Sequence, residues 1–196
     1  MESASIATGR LTAYGHSWVA GEGASEESLG FGELAAHRLG MVADNRGVGG
    51  SSTPETAGLI ARHPPPGSEL YVVMSGLNDA RRDGADPRAL EVYGVALASI
   101  FEGLARANPA SVIVAVEQPH LLDYSLHPPH HRGSNEVLDA YNDRLRAVAS
   151  DSPCVVLASV TGWDPATMLT DDTVHPNDAG HARMTQAVLN ASRPES

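Results

Sequence analysis

Lysine is missing from this sequence: all 13 basic residues are arginine. That excludes a Schiff-base lysine and the lysine of a phosphate-binding loop in one step. Cysteine occurs once, at Cys154, which excludes an intramolecular disulfide. Its setting, Cys154-Val155-Val156-Leu157, reads as a buried strand in which the thiol is a small core hydrophobe. Positive charge is scarce, with 13 basic against 24 acidic residues and a formal net charge of −11. Such a surface repels nucleic acid and anionic membranes, so neither is an expected partner. No window approaches the roughly 20 apolar residues of a membrane helix. The opening MESASIATGR has no basic region followed by an apolar stretch, so no secretory leader is read there. A soluble, cytoplasmic protein is the resulting expectation.

Hydrophobic residues make up 42% and charged residues 19%, an ordinary globular mix. The 196 residues fit one domain with a full core. No repeat, low-complexity tract or linker divides them. Short β-type runs alternate with helical ones. Strands are expected at Leu11–Tyr14, Met41–Asn45, Glu69–Ser75, Ser111–Glu117 and Cys154–Val160. Helices are expected at Phe31–Leu39, at Thr53–Arg62 with Thr53 as cap, at Pro87–Ala107, at Ser134–Ala149 with Ser134 as cap, and at Asn177–Asn190. The strongest strands, ELYVVMS and SVIVAVE, are continuous apolar runs rather than alternating ones, which means both sheet faces are covered. The pattern predicts an α/β fold: a five-stranded parallel sheet in a three-layer α/β/α sandwich. In such sheets, sites form beyond the carboxyl ends of the strands.

What lies there is suited to acyl transfer. The first strand runs into Gly15-His16-Ser17, the second into NRGVGGSS, the third into Ser75-Gly76-Leu77-Asn78-Asp79. After the fifth comes Asp171-Asp172-Thr173-Val174-His175-Pro176. Ser17 offers a hydroxyl, His175 can take its proton, and Asp172, three residues earlier, can hold the imidazole. Glycines around Gly50 let a backbone N–H approach a ligand closely, and the Asn78 amide can point at a developing oxyanion.

Together these four segments resemble the SGNH (GDSL-type) hydrolase family over almost the whole chain. The family's Gly-Asp-Ser block is similar to Gly15-His16-Ser17, its Asn-rich turn to NRGVGG, its Gly-x-Asn-Asp block to Gly76-Leu77-Asn78-Asp79, and its Asp-x-x-His-Pro block to Asp172-Thr173-Val174-His175-Pro176. The resemblance implies a flavodoxin-like sheet, with Ser17 as nucleophile, His175 as base and Asp172 as orienter. It further implies an oxyanion hole built from the N–H groups of Ser17 and Gly50 and the side chain of Asn78. It implies hydrolysis, or sometimes transfer, of the acyl group of a small ester, thioester, lipid or acetylated sugar, without a cofactor. A small-molecule acyl ester is then the expected partner. His16 departs from the pattern, standing where the family has aspartate.

Each feature also has a plainer reading. Ser17 alone reads as a turn residue, Asn78-Asp79 as a turn, and the glycines near Gly50 as a bend. Asp171 competes with Asp172, and the three-residue spacing favours Asp172. His127-Pro128-Pro129-His130-His131-Arg132 reads as a solvated loop that can flank the site; with no HExxH pattern and no cysteine cluster, no metal is expected. Arg81 and Arg82 are surface charges or meet an anionic substrate group. Trp18 and Tyr14 line a pocket or simply pack, and His16 is a substrate contact or a loop support. A hydrolase of a small acyl ester, such as an acetylated sugar or metabolite, is the leading reading. The alternatives are a transacylase on the same triad, in which Trp18 and Val19 keep water out, an α/β-hydrolase, and a non-catalytic binding member of the fold. Val19 in place of the second glycine of the G-x-S-x-G elbow speaks against the α/β-hydrolase.

Overall fold

The computed structural model describes residues 9–193. The leader reading of the opening segment falls, up to residue 8, outside the described residues. In chain order the elements are β1 (Arg10–Gly15), α1 (Phe31–Leu39), β2 (Val42–Gly47), α2 (Thr53–Arg62), β3 (Leu70–Met74), α3 (Leu77–Asp83), α4 (Pro87–Ala107), β4 (Val112–Val116), α5 (Asn135–Ser150), β5 (Val155–Ala158), α6 (Pro165–Met168) and α7 (Asp178–Ala191). The five strands pair in parallel in the order β2-β1-β3-β4-β5. The expected three-layer α/β/α arrangement is present: α1 and α7 pack together on one face, and α2, α4 and α5 on the other.

The inner strands follow their sequence. All five residues of β3 are buried, as are the last four of β4. One layer sends Phe31, Met184 and Val188 against the sheet; the other sends Leu97, Ile100 and Phe101, with Tyr93 and Tyr141 in ring contact at 4.9 Å. Each such fully buried side chain contributes about 1.5–3 kcal/mol of transfer free energy. The edge strands β2 and β5 are only partly covered, which is why their apolar signal is weaker. Cys154 lies just before β5 and is half-buried, which corrects its reading as a core strand residue.

Helix caps follow short polar side chains. Ser134 caps α5 by accepting from the Val137 N–H, as expected. The cap of α2 is Ser52, not Thr53: Ser52 and Glu55 form a reciprocal capping box, and Thr53 is the first helical residue. Asn177 likewise caps α7 instead of belonging to it, accepting from Ala179 and Gly180. No helix among the described residues is long and apolar enough to cross a membrane.

The strand order determines where a site can form. From β1 the chain steps to β2 on one side, and β3 then returns to the other side of β1. At this reversal the loops leaving β1 and β3 diverge, opening a crevice at the carboxyl ends of the strands. Gly15 and Met74, the last residues of β1 and β3, are register partners. The segments that begin at Ser17 and Gly76 therefore leave the sheet side by side.

Candidate active site

Ser17 sits in a tight turn at the end of β1, closed by the N–H groups of Val19 and Ala20 donating to the His16 carbonyl at 2.9 and 3.1 Å. Gly15 makes this turn possible. Its φ of +148° is in the region that favours glycine, and a Cβ there would lie 1.9 Å from the Met74 carbonyl oxygen. The turn presents the Ser17 hydroxyl at the crevice with its residue only 6% exposed.

His175 comes from 158 residues further along the chain and reaches the same point. The segment after Ser17 is tied to the start of α7, since Ser25 donates from its N–H and its hydroxyl to the Asp178 carboxylate at 2.8 and 2.7 Å. These bonds draw the loop before α7 over Ser17. The Ser17 hydroxyl lies 3.2 Å from His175 Nε2, and His175 Nδ1–H donates to Asp172 Oδ2 at 2.6 Å. The other Asp172 oxygen accepts from the N–H groups of Val174 and His175 and from the Thr170 hydroxyl, each at 2.8 Å. Burial alone would raise the Asp172 carboxyl, but these hydrogen bonds outweigh it and hold the group well below the usual carboxylate range. The turn is held in a strained form, with Thr173 at φ +64°, an outlier for a β-branched residue.

Asn78 stands in the first turn of α3, 6% exposed, and donates from Nδ2 to the Ser51 carbonyl at 3.0 Å. Ser51 in turn donates its hydroxyl to the Gly15 carbonyl at 3.2 Å. One chain of bonds thus joins the end of β1, the loop after β2 and the start of α3. Gly50 in that loop has φ +73°. Among the described residues, neither the Ser17 nor the Gly50 N–H has a hydrogen-bond acceptor. Asp79, next to Asn78, is buried and accepts from the Thr53 N–H and hydroxyl, each at 3.0 Å, which fastens α3 to α2.

A cavity of about 340 Å³ opens here, lined by Ser17, Gly50, Asn78, Arg81, Asp172 and His175 among others. Most of the residues around it are polar or charged, and Val174 is the one large aliphatic side chain among them. His127 and His130 flank it, and His127 Nε2–H donates to the Asp172 carbonyl at 3.1 Å. Burial beside Arg81 and Arg82 pushes the His130 imidazole down, favouring its neutral form. A larger cavity of about 710 Å³ beside α1, lined by residues such as Glu26, Leu29 and His37, has none of this convergence. Among the described residues, no three His, Cys, Asp or Glu side chains are arranged to hold a metal ion.

Two expected substrate contacts are elsewhere. His16 and Trp18 are fully buried and do not line the cavity. Trp18 stacks on Trp163 at 5.5 Å between ring centres, and Tyr14 is also fully buried. His16 lies beneath Ser17 with Nε2 2.9 Å from the Gln118 amide nitrogen; burial pushes its imidazole down to about 3, so it stays neutral. The turn itself is the reason: it presents Ser17 to the crevice while His16, Trp18 and Val19 pack inward. Arg81 does line the cavity, whereas Arg82 turns away to pair with Asp83 at 3.0 Å. Glu22 was not foreseen: its carboxylate lines the cavity 3.2 Å from His175 Nε2. It comes from a polar, glycine-rich turn with no periodicity to mark it.

The family model described as GDSL-like Lipase/Acylhydrolase matches residues 13–183 of this chain. No curated protein matches the sequence significantly. Among solved structures, a carbohydrate esterase family 2 enzyme with a carbohydrate-binding domain from Corynascus thermopiles (Myceliophthora fergusii) superposes with a TM-score of 0.74 at 17% identity, covering 97% of this chain and 67% of that one. TesA superposes with a TM-score of 0.69 at 21% identity over 94% and 98%. A protein assigned as an SGNH hydrolase from Slackia heliotrinireducens gives 0.69 at 16% over 94% and 98%. At these identities the likeness is one of fold.

Proposed function

The chain belongs to the GDSL-like lipase/acylhydrolase family and is an ester-hydrolysing enzyme, and from that premise we propose that it cleaves a small acyl ester through an acyl-enzyme on Ser17. The observation that carries this reading is the unbroken series Ser17 Oγ, His175 Nε2, His175 Nδ1, Asp172 Oδ2, with contacts of 3.2 and 2.6 Å. In the proposed first step, Ser17 Oγ bonds to the ester carbonyl carbon while its proton passes to His175 Nε2. Asp172, fixed by three further hydrogen bonds, keeps Nδ1 protonated and steadies the imidazolium. The negative oxygen of the tetrahedral intermediate is received by the N–H groups of Ser17 and Gly50 and by Asn78 Nδ2. The intermediate collapses as the ester C–O bond breaks and the departing alkoxide takes the proton from Nε2. Water then repeats the sequence on the acyl-enzyme, giving the acid and free Ser17.

The cavity favours a small substrate over a long lipid acyl chain, because about 340 Å³ with Val174 as its one large aliphatic side chain cannot enclose such a chain. The transacylase alternative draws on Trp18 and Val19 excluding water; both are fully buried away from the cavity and supply no such wall. Turnover of short-chain p-nitrophenyl esters by wild type and Ser17→Ala tests the reading. Hydrolysis by wild type with loss of about 10³-fold or more in the variant is expected. Equal turnover by both proteins would refute the serine mechanism.

A further inference from the structure

Arg81 lines the same cavity as Ser17 and is only 5% exposed, yet among the described residues none of its guanidinium nitrogens donates to an acceptor. Nε and Nη2 are fully buried without partners. The stem of the side chain is covered. Its own carbonyl accepts from the Arg132 N–H at 2.8 Å, and a Cβ on Gly133 would meet its Cγ at 3.3 Å, so the loop before α5 closes over its stem. A buried guanidinium without an acceptor is costly to hold. Carboxylates are near but engaged. Asp172 is taken up by His175, and Glu22 faces the same imidazole. His130 beside it is disfavoured as a cation, and Tyr124 spends its hydroxyl on Asn135. Arg81 is therefore a buried positive charge with no salt bridge among the described residues, attracted through space by an Asp172 whose oxygens are already bonded, one helical turn after Asn78 and on the same face of α3.

We propose that Arg81 receives a carboxylate carried by the substrate, so that the pocket selects acyl esters bearing that group; this rests on the serine-esterase reading above. Nη1, the one guanidinium nitrogen that is not fully buried, can give a charge-assisted N–H···O bond to a carboxylate in the cavity. The Asp172 and Glu22 carboxylates in the same cavity oppose any anion, so Arg81 is expected to hold a single negative charge better than a double one. A doubly charged phosphate would be repelled about twice as strongly as a carboxylate.

Two readouts test this. The first is binding in the Ser17→Ala protein, measured by calorimetry. The probes are monomethyl succinate, with its carboxylate on the acyl side, and acetoxyacetate, with its carboxylate on the alcohol side. Each is set against its neutral carboxamide and against methyl phosphate. At least one carboxylate is expected to bind at least tenfold more tightly than its carboxamide, and Arg81→Met to abolish that difference while Arg81→Lys keeps part of it. The second is the ratio of kcat/KM for the anionic and neutral esters in the Ser17 enzyme, which Arg81→Met is expected to lower at least tenfold. A structural defect would lower both rates and leave the ratio unchanged, which overturns the proposal. So does binding in which carboxylate and carboxamide are equal, or in which methyl phosphate is preferred. Circular dichroism confirms that each variant is folded, and Arg81→Lys carries the comparison if Arg81→Met is not. Selective binding of the carboxylate by a protein that hydrolyses no ester would uphold the anion site and refute the serine reading; hydrolysis without carboxylate preference would do the reverse.

Discussion

The Glu22 carboxylate and the Ser17 hydroxyl both lie 3.2 Å from His175 Nε2. The nitrogen proposed to take the serine proton thus faces a second carboxylate, on the side opposite Asp172. Once Nε2 is protonated, Glu22 gains an ion pair at just the stage when the imidazolium forms. Glu22 is about half-exposed, so its stabilising effect is about 1 kcal/mol at most. Glu22→Gln is expected to lower kcat up to about fivefold. An increase in kcat would instead show that Glu22 obstructs the serine.

Asn78 donates one amide hydrogen to Ser51 and has a second to give. If that second hydrogen meets the oxyanion, Asn78→Ala is expected to lower kcat by about 10²–10³-fold with little change in KM. A change confined to KM would place Asn78 in ground-state binding only.

His16 affects stability through pH. The unfolded chain protonates this ring near its ordinary value of 6.5, while burial holds the folded ring neutral down to about 3. The unfolded state therefore binds more protons in that window, and stability is lost as pH falls through it. Between about pH 7.5 and 5 the loss from this one ring is about 2 kcal/mol, or about 4–8 °C in Tm. His16→Gln is expected to show a correspondingly smaller fall in Tm over that range than wild type. An equal fall in both proteins would assign the acid sensitivity to other groups.

Asp79 acts through α2. Burial raises its carboxyl, the Thr53 N–H and hydroxyl pull it back, and Asp79→Ala would leave the Thr53 N–H unpaired in the interior while the Thr53 hydroxyl keeps the Ser75 hydroxyl at 2.7 Å. A loss of about 2 kcal/mol in denaturant unfolding is expected. A loss below about 0.5 kcal/mol would mean that water replaces the carboxylate.

The strands and long helices were legible because local chemistry and tertiary demand agree. Pro87–Ala107 is bounded by the Asp86 cap and Pro87 at one end and the apolar period running out at the other. The short helix α3 was not read: Leu77–Asp83 is seven residues, too brief for a period to show, and is held by packing around Asp79. Within the site, Ser17, Asn78, Asp172 and His175 were named because their blocks stand at strand ends. His16 and Trp18 were misplaced because a turn, unlike a strand or helix, has no simple period that says which side chain faces the crevice. Glu22 was missed for the same reason. Arg81 was legible as a charge, but its lack of a partner depends on the loop carrying Arg132 and Gly133, some fifty residues away.

The proposed mechanism makes Ser17 a nucleophile activated by His175 and Asp172. The most direct measurement is intact-protein mass spectrometry after treatment with a fluorophosphonate, followed by peptide mapping. One adduct is expected on wild type, located at Ser17, with labelling lost in Ser17→Ala and slowed by about 10²-fold or more in His175→Ala. A wild-type protein that takes no label, or takes it at another serine, would contradict it.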